Sequence, residues 1–177
     1  DGTAFTGCLP PPVLEIFDIQ GNGLASPYDG QFVISENNPV TCLAPDGFFI
    51  QTPAARTDGD VATSDGIFVY TQDPPTVAVG DLVDVFGRVI EYYDMTEFTL
   101  GTSVTVVGSD PGQVPAAVAF DATVPSPDPT APSCGLFEYE CYEGMLVEIA
   151  DGTVTGPNQR FPFNLSNPPS DQFAEVH

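Results

Sequence analysis

Lysine and tryptophan are absent from this chain, arginine occurs three times and histidine once. Arg56, Arg88 and Arg160 are scattered among 25 Asp and Glu residues, giving a formal net charge of -22. Non-specific nucleic-acid binding depends on neutralising phosphates with Lys and Arg. Three separated arginines cannot build a basic stripe, so nucleic acid is not an expected partner. The only histidine is His177, at the last position. That excludes a His-based acid–base pair and a Ser-His-Asp arrangement. Without Trp, nothing supplies the sugar-binding cleft that would turn Glu138, Glu140 and Glu143, or Glu91 and Glu97, into glycosidase carboxylates. No apolar run approaches the ~20 residues that span a bilayer, and no membrane span is expected.

What is present describes a folded extracellular chain. Apolar residues make up 42% of the 177, enough for a core despite 19 prolines and 17 glycines. So acidic a surface attracts Ca²⁺ or Mg²⁺ and keeps the chain soluble. The four cysteines, Cys8, Cys42, Cys134 and Cys141, lack zinc-ligand spacing and nearby histidines, which favours two disulfides and an oxidising compartment. Of the three possible pairings, Cys134–Cys141 closes a short loop and leaves Cys8–Cys42 to tether the N-terminal segment. The first residue is Asp1 and no signal peptide precedes it, as expected of a mature or excised piece. Asn164-Leu165-Ser166 is an acceptor for N-linked glycan, and 123–133 is rich in Ser, Thr and Pro.

Along the chain, short strands alternate with turn signals. Residues 1–12, with Pro10-Pro11-Pro12, read as an extended leader. Val13–Gln20 alternates and ends at Gly21-Asn22-Gly23. Strands are expected over Gln31–Ser35, Val40–Leu43, Phe48–Thr52, Ile67–Thr71 and from Asp81 through Val89. In the last of these Gly87 falls on the valine face, where a missing side chain permits a bend. Thr96–Leu100 and Ser103–Val107 read as a hairpin around Gly101, and Gly144–Ile149 as a later strand. No apolar 3.6-residue pattern lasts three turns; Val114–Phe120 comes nearest, and one short helix is expected at Phe137–Tyr142. Residues 151–177 are Pro- and Asn-rich. The fold class is all-β, a closed barrel or a sandwich.

Several segments, in order, resemble the OB-fold module of secreted nucleases of the endonuclease/exonuclease/phosphatase superfamily. They are 19–23 with Ser26-Pro27-Tyr28, Asp46–Thr52, Thr63–Tyr70, Val79–Val89, Glu91-Tyr92-Tyr93 with Thr96-Glu97, and Tyr142–Val147. The resemblance covers roughly residues 13–150, with Phe173–Val176 as a possible tail. It implies a five-stranded OB-like barrel flanked by the leader, 1–12, and a C-terminal segment, 151–177, that packs on the barrel or on a neighbouring copy. It also implies an accessory, extracellular role, because catalysis in that family belongs to a separate domain that this sequence does not contain.

Two groups of side chains and the two chain ends stand out as candidate sites. Asp58, Asp60 and Asp65 put three carboxylates on a Gly-containing loop, a pattern suited to Ca²⁺ although not of EF-hand spacing. Phe86, Tyr92, Tyr93 and Phe98 form a candidate stacking surface of the kind OB barrels offer to single-stranded bases. The Pro- and Gly-rich ends should fray unless tethered, either by Cys8 or by adding as a strand to an open edge of another copy. The expected function is therefore a non-catalytic structural module that assembles into a filament or other polymer. The alternative is the nucleic-acid-binding accessory domain of a secreted nuclease.

Overall fold

The computed structural model describes residues 10–99, 101–120 and 139–150. Five strands close a barrel: β1 (Phe32–Ala44), β2 (Gly47–Gln51), β3 (Gly66–Tyr70), β4 (Asp81–Glu91) and β5 (Thr96–Phe98). The order is β1-β2-β3-β5-β4, and β4 pairs back onto β1. Every contact is antiparallel except β3 with β5, which is parallel. The protein is an all-β, OB-like barrel.

β1 makes closure possible. Two strands were expected on either side of Asn37-Asn38-Pro39, but one continuous strand spans them. Its first part pairs with β4 and its last part with β2, through register shifts between Ser35 and Asn38 and between Val40 and Cys42. Asn37 absorbs the first shift with φ 54°, a left-handed conformation that Asn tolerates better than most residues. Inside, Val33, Val40, Ile50, Ile67, Val69, Val83, Val85, Val89 and Phe98 are fully buried. These are alternate positions on most strands, as a half-buried pleat requires.

Three expectations need correction. Ile16–Gln20 is a short helix, α1, rather than a strand. Ile16 and Ile19 lie one turn apart and both reach the core, and Gly21 ends the turn with φ 71°. Thr96 and Ser103 do not begin the two arms of a hairpin. β5 and β6 (Ser103–Ser109) both run antiparallel to β4, one after the other along the same side. Gly87 lies opposite the break between them, and a Cβ there would sit 2.4 Å from Thr102 Oγ1 and 3.0 Å from Phe98 Cδ1. The helix expected at Phe137–Tyr142 is a single 3₁₀ turn, Glu140–Tyr142, among the described residues. Val118–Phe120, in the stretch nearest to a helical pattern, is instead strand β7, which pairs in parallel with β8 (Val147–Ile149).

The segment from Tyr139 to Ile149 is fastened across one end of the barrel. Gly66 lets the two backbones meet, since a Cβ on it would fall 2.3 Å from the Gly144 carbonyl carbon. Gly144 itself has φ 67°, which favours glycine. Ser64 Oγ donates to Glu143 O (2.6 Å), and Leu146 N donates to Gln51 Oε1 (3.0 Å). Among the described residues no helix is long and apolar enough to cross a membrane.

Candidate functional site

β6 is the exposed margin of this barrel. Among the described residues it pairs with β4 alone, and five of its seven residues are exposed. Val106 and Val107 are about half accessible, at 51% and 50%. The register shifts between Leu82 and Val83, so Val107 sits in a bulge between the Val83–Val106 and Leu82–Gly108 pairs. The strand reads Ser-Val-Thr-Val-Val-Gly-Ser, with no charge and no proline. Natural edges are usually blunted by charge, Pro or a bulge; here only the bulge is used. Beside it runs a shallow groove of about 170 Å³ walled by Phe48, Pro74, Pro75, Val77, Val104 and Val106.

A second feature is a set of carboxyl groups at the barrel end. Glu143 Oε1 accepts from Thr96 N (2.8 Å) and Gln20 Nε2 (3.2 Å). Glu91 Oε1 accepts from Ser26 N and Thr96 Oγ1, both at 2.7 Å. Burial pushes the Glu143 carboxyl up to about 7; the bonds from Gln20 and Thr96 oppose this, and the charges of Glu140 and Glu91 add to it. Glu140 is raised by burial and then by the charges of Glu91 and Asp94. Glu97, almost wholly covered on the outer face opposite Phe68, is raised by burial and then by Asp46. Among the described residues no neighbouring cation offsets these groups. The single ion pair among the described residues joins Arg56 to Glu15 at 3.6 Å.

The residues singled out from sequence are only partly brought together. Asp60 and Asp65 line one small pocket, but no group of three ligating side chains among the described residues could hold a metal ion. The reason is local. Asp58 accepts from Asp60 N and Thr63 Oγ1, and Asp60 accepts from Ala62 N, so these two carboxylates brace their own loop. Asp65 turns inward, where burial raises its carboxyl against the pull of the Thr57 hydroxyl, with Asp58 adding to the rise.

The four aromatic residues do not share a surface either. Phe98 is fully buried in the core, Phe86 stacks on Phe32 at 5.7 Å on the outer wall, and Tyr92 meets Tyr93 edge-on at 4.7 Å in the β4–β5 turn. Cys42 is a free, exposed thiol, contrary to the expected Cys8–Cys42 bond, whereas Cys141 is disulfide-bonded. Cys8, Cys134 and Asn164 lie outside the described residues.

Both arginines among the described residues are held by the protein itself. Arg56 donates to Glu36 O, Asn37 O and Asn38 Oδ1, bracing the β1 bulge, and Arg88 donates to Gly30 O. Comparison with known proteins adds no closer identification: no family model, no curated protein and no solved structure matches this chain. The class is thus given by the fold alone, an OB-like barrel. None of these comparisons links it to the nuclease-associated module that the sequence segments led us to expect.

Proposed function

We propose that the chain is a non-catalytic extracellular module that self-assembles by strand addition, with the β6 edge receiving an extended segment of a neighbouring copy. The observation that carries this reading is the uncharged, valine-bearing edge of β6 in a chain of net charge -22. An open edge is a template for main-chain pairing, and a flanking groove gives alternate side chains a place to dock. The uncharged strip also spares two acidic copies from pressing carboxylates together. Within the leader, 1–12, the donor is the part before Pro10-Pro11-Pro12, since those prolines have no N–H to give and Pro12 O already accepts from Ile34 N of the same barrel. Contact between two different surfaces does not close on itself and yields a filament. The disulfide at Cys141 supports an oxidising, extracellular setting. The scarcity of cations weighs against the nucleic-acid alternative: Arg56 is committed to the β1 bulge, and the exposed Arg88 is a single cation, too little to build a phosphate-binding face.

Light scattering and negative-stain microscopy test the reading on three proteins: the full chain, the chain without residues 1–12, and Val106→Lys. Polymer from the first and discrete particles from the other two are expected. Monomers of the full chain at all concentrations overturn assembly, and polymer that survives Val106→Lys overturns the edge. Tight, salt-sensitive capture of single-stranded DNA replaces the reading with the accessory-domain one.

A further inference from the structure

A cleft of about 360 Å³ opens at the barrel end, between Asp94, Phe120 and the Tyr139–Val147 stretch. Its aromatic wall comes from two places in the chain. Phe120, at the end of β7, packs against the Tyr142 ring edge-on at 5.1 Å and against Tyr139 at 6.4 Å. Asp94, Glu140 and Glu143 line the same cleft. Both hydrogen bonds received by Glu143 fall on Oε1, which leaves Oε2 for a ligand.

We propose that this cleft binds an organic ammonium ion, with Phe120, Tyr139 and Tyr142 presenting aromatic faces to the alkylated nitrogen and Asp94, Glu140 and Glu143 supplying the negative charge. The chemistry follows from two independent features of the same cavity. Aromatic faces attract cations through the ring quadrupole, and quaternary or alkylated ammonium groups are best served because they carry charge on an apolar surface. A metal ion needs clustered oxygens at short range, and no such group of three exists among the described residues. The carboxyl groups repel one another, with Glu91 and Asp94 acting on Glu140, and Glu140 and Glu91 on Glu143. A cation between them relieves that repulsion. The chain has no lysine to fill this role.

The pH dependence has a defined sign. The titratable groups that face Glu143 are Glu140 and Glu91, while Gln20 and Thr96 meet it as neutral donors. Burial pushes its carboxyl up to about 7, so affinity for a cation rises as the pH goes from 5.5 to 8.

The experiment is an NMR titration of the full chain with tetramethylammonium chloride, run against sodium chloride at matched ionic strength and repeated at pH 5.5 and 8. Saturable shifts of the Tyr139 and Tyr142 ring signals with tetramethylammonium alone are expected, with a millimolar dissociation constant that is tighter at pH 8. Tyr139→Leu, at an exposed ring that folding does not need, weakens binding by roughly five- to tenfold. Glu143→Gln keeps the acceptor for Thr96 and flattens the pH dependence, leaving only the share carried by Glu140. Equal shifts with sodium, or unchanged affinity in Tyr139→Leu, overturn the proposal. Because the readout is a small cation, it is independent of whether β6 assembles.

Discussion

β5 and β6 lie along the same side of the same strand, separated only by residues 99–102, and they have opposite fates. Thr96, Glu97 and Phe98 are all at least 96% covered, whereas most of β6 faces outward. The difference is not in the pairing with β4, which is antiparallel in both. β5 has β3 on its other side, and that parallel contact of Phe68 with Glu97 and Val69 with Phe98 closes the barrel. Closure consumes an edge, and β6 lies just beyond the reach of β3. One strand pair thus serves stability in one half and, on the reading proposed above, recognition in the other.

Breaking the closed half has the largest expected effect. Phe98→Ala removes a fully buried ring at the closure point and should cost about 3–5 kcal/mol in urea-induced unfolding. A loss under about 1 kcal/mol would mean that β5 is not what locks the barrel. The seam comes next. Gly87→Ala places a methyl group 2.4 Å from Thr102 Oγ1, and overpacking of this kind costs about 1–3 kcal/mol. Thr102→Ala in the same protein should recover part of that loss, with a coupling above about 0.5 kcal/mol. Strict additivity of the two would show that Gly87 is not the hinge between the halves.

The closed half was the legible one. Branched and aromatic residues at alternate positions, bounded by Gly and Pro, marked β2, β3 and β4 to within a residue or two, because burial of one face imposes period two on the sequence. What remained hidden depends on distant partners. The 3.6-residue periodicity cannot be recognised in five residues, so α1 was read as a strand, although Ile16 and Ile19 carry the correct spacing. Nothing near Thr96 or Ser103 indicates that β4 is their common partner. The loop aspartates looked like ligands because spacing alone does not show that Asp58 and Asp60 are occupied with their own backbone. Phe120, Tyr139 and Tyr142 meet only in the fold. The charge-free run at 103–109 was visible, but its meaning required knowing that it ends the sheet.

The third test sharpens the contrast by pH. Asp65, Glu97, Glu140 and Glu143 are all raised in the folded protein, mainly by burial. A folded carboxyl that holds its proton more tightly than the unfolded one stabilises at low pH and loses that contribution as it ionises. For Glu143 the window runs from about 4.5, its ordinary value, to about 7. The melting temperature should therefore fall between pH 5 and 8. Glu143→Gln should flatten the curve and, because the group is partly solvated, gain only about 1 kcal/mol at pH 8. An unchanged slope in Glu143→Gln would place the effect elsewhere. β6 carries no titratable group, so its share of the stability should not move with pH.

The smallest effect on stability is expected at the open edge, and there it is the most informative. Val107 is half exposed and sits in the β6 bulge, so Val107→Thr removes little buried area and keeps the branched shape that strands prefer. Unfolding free energy should change by less than about 0.5 kcal/mol. Association, followed by light scattering against concentration, should weaken, because a donated strand would cover this side chain and bury a hydroxyl where a methyl group had been. Separating the two measurements tests the contrast with β5 directly. If Val107→Thr costs more than about 1 kcal/mol in the monomer, β6 belongs to the core and the two halves of the β4 partner do not differ in kind. If it leaves both folding and association unchanged, the edge is inert and the strand that adds to it lies elsewhere.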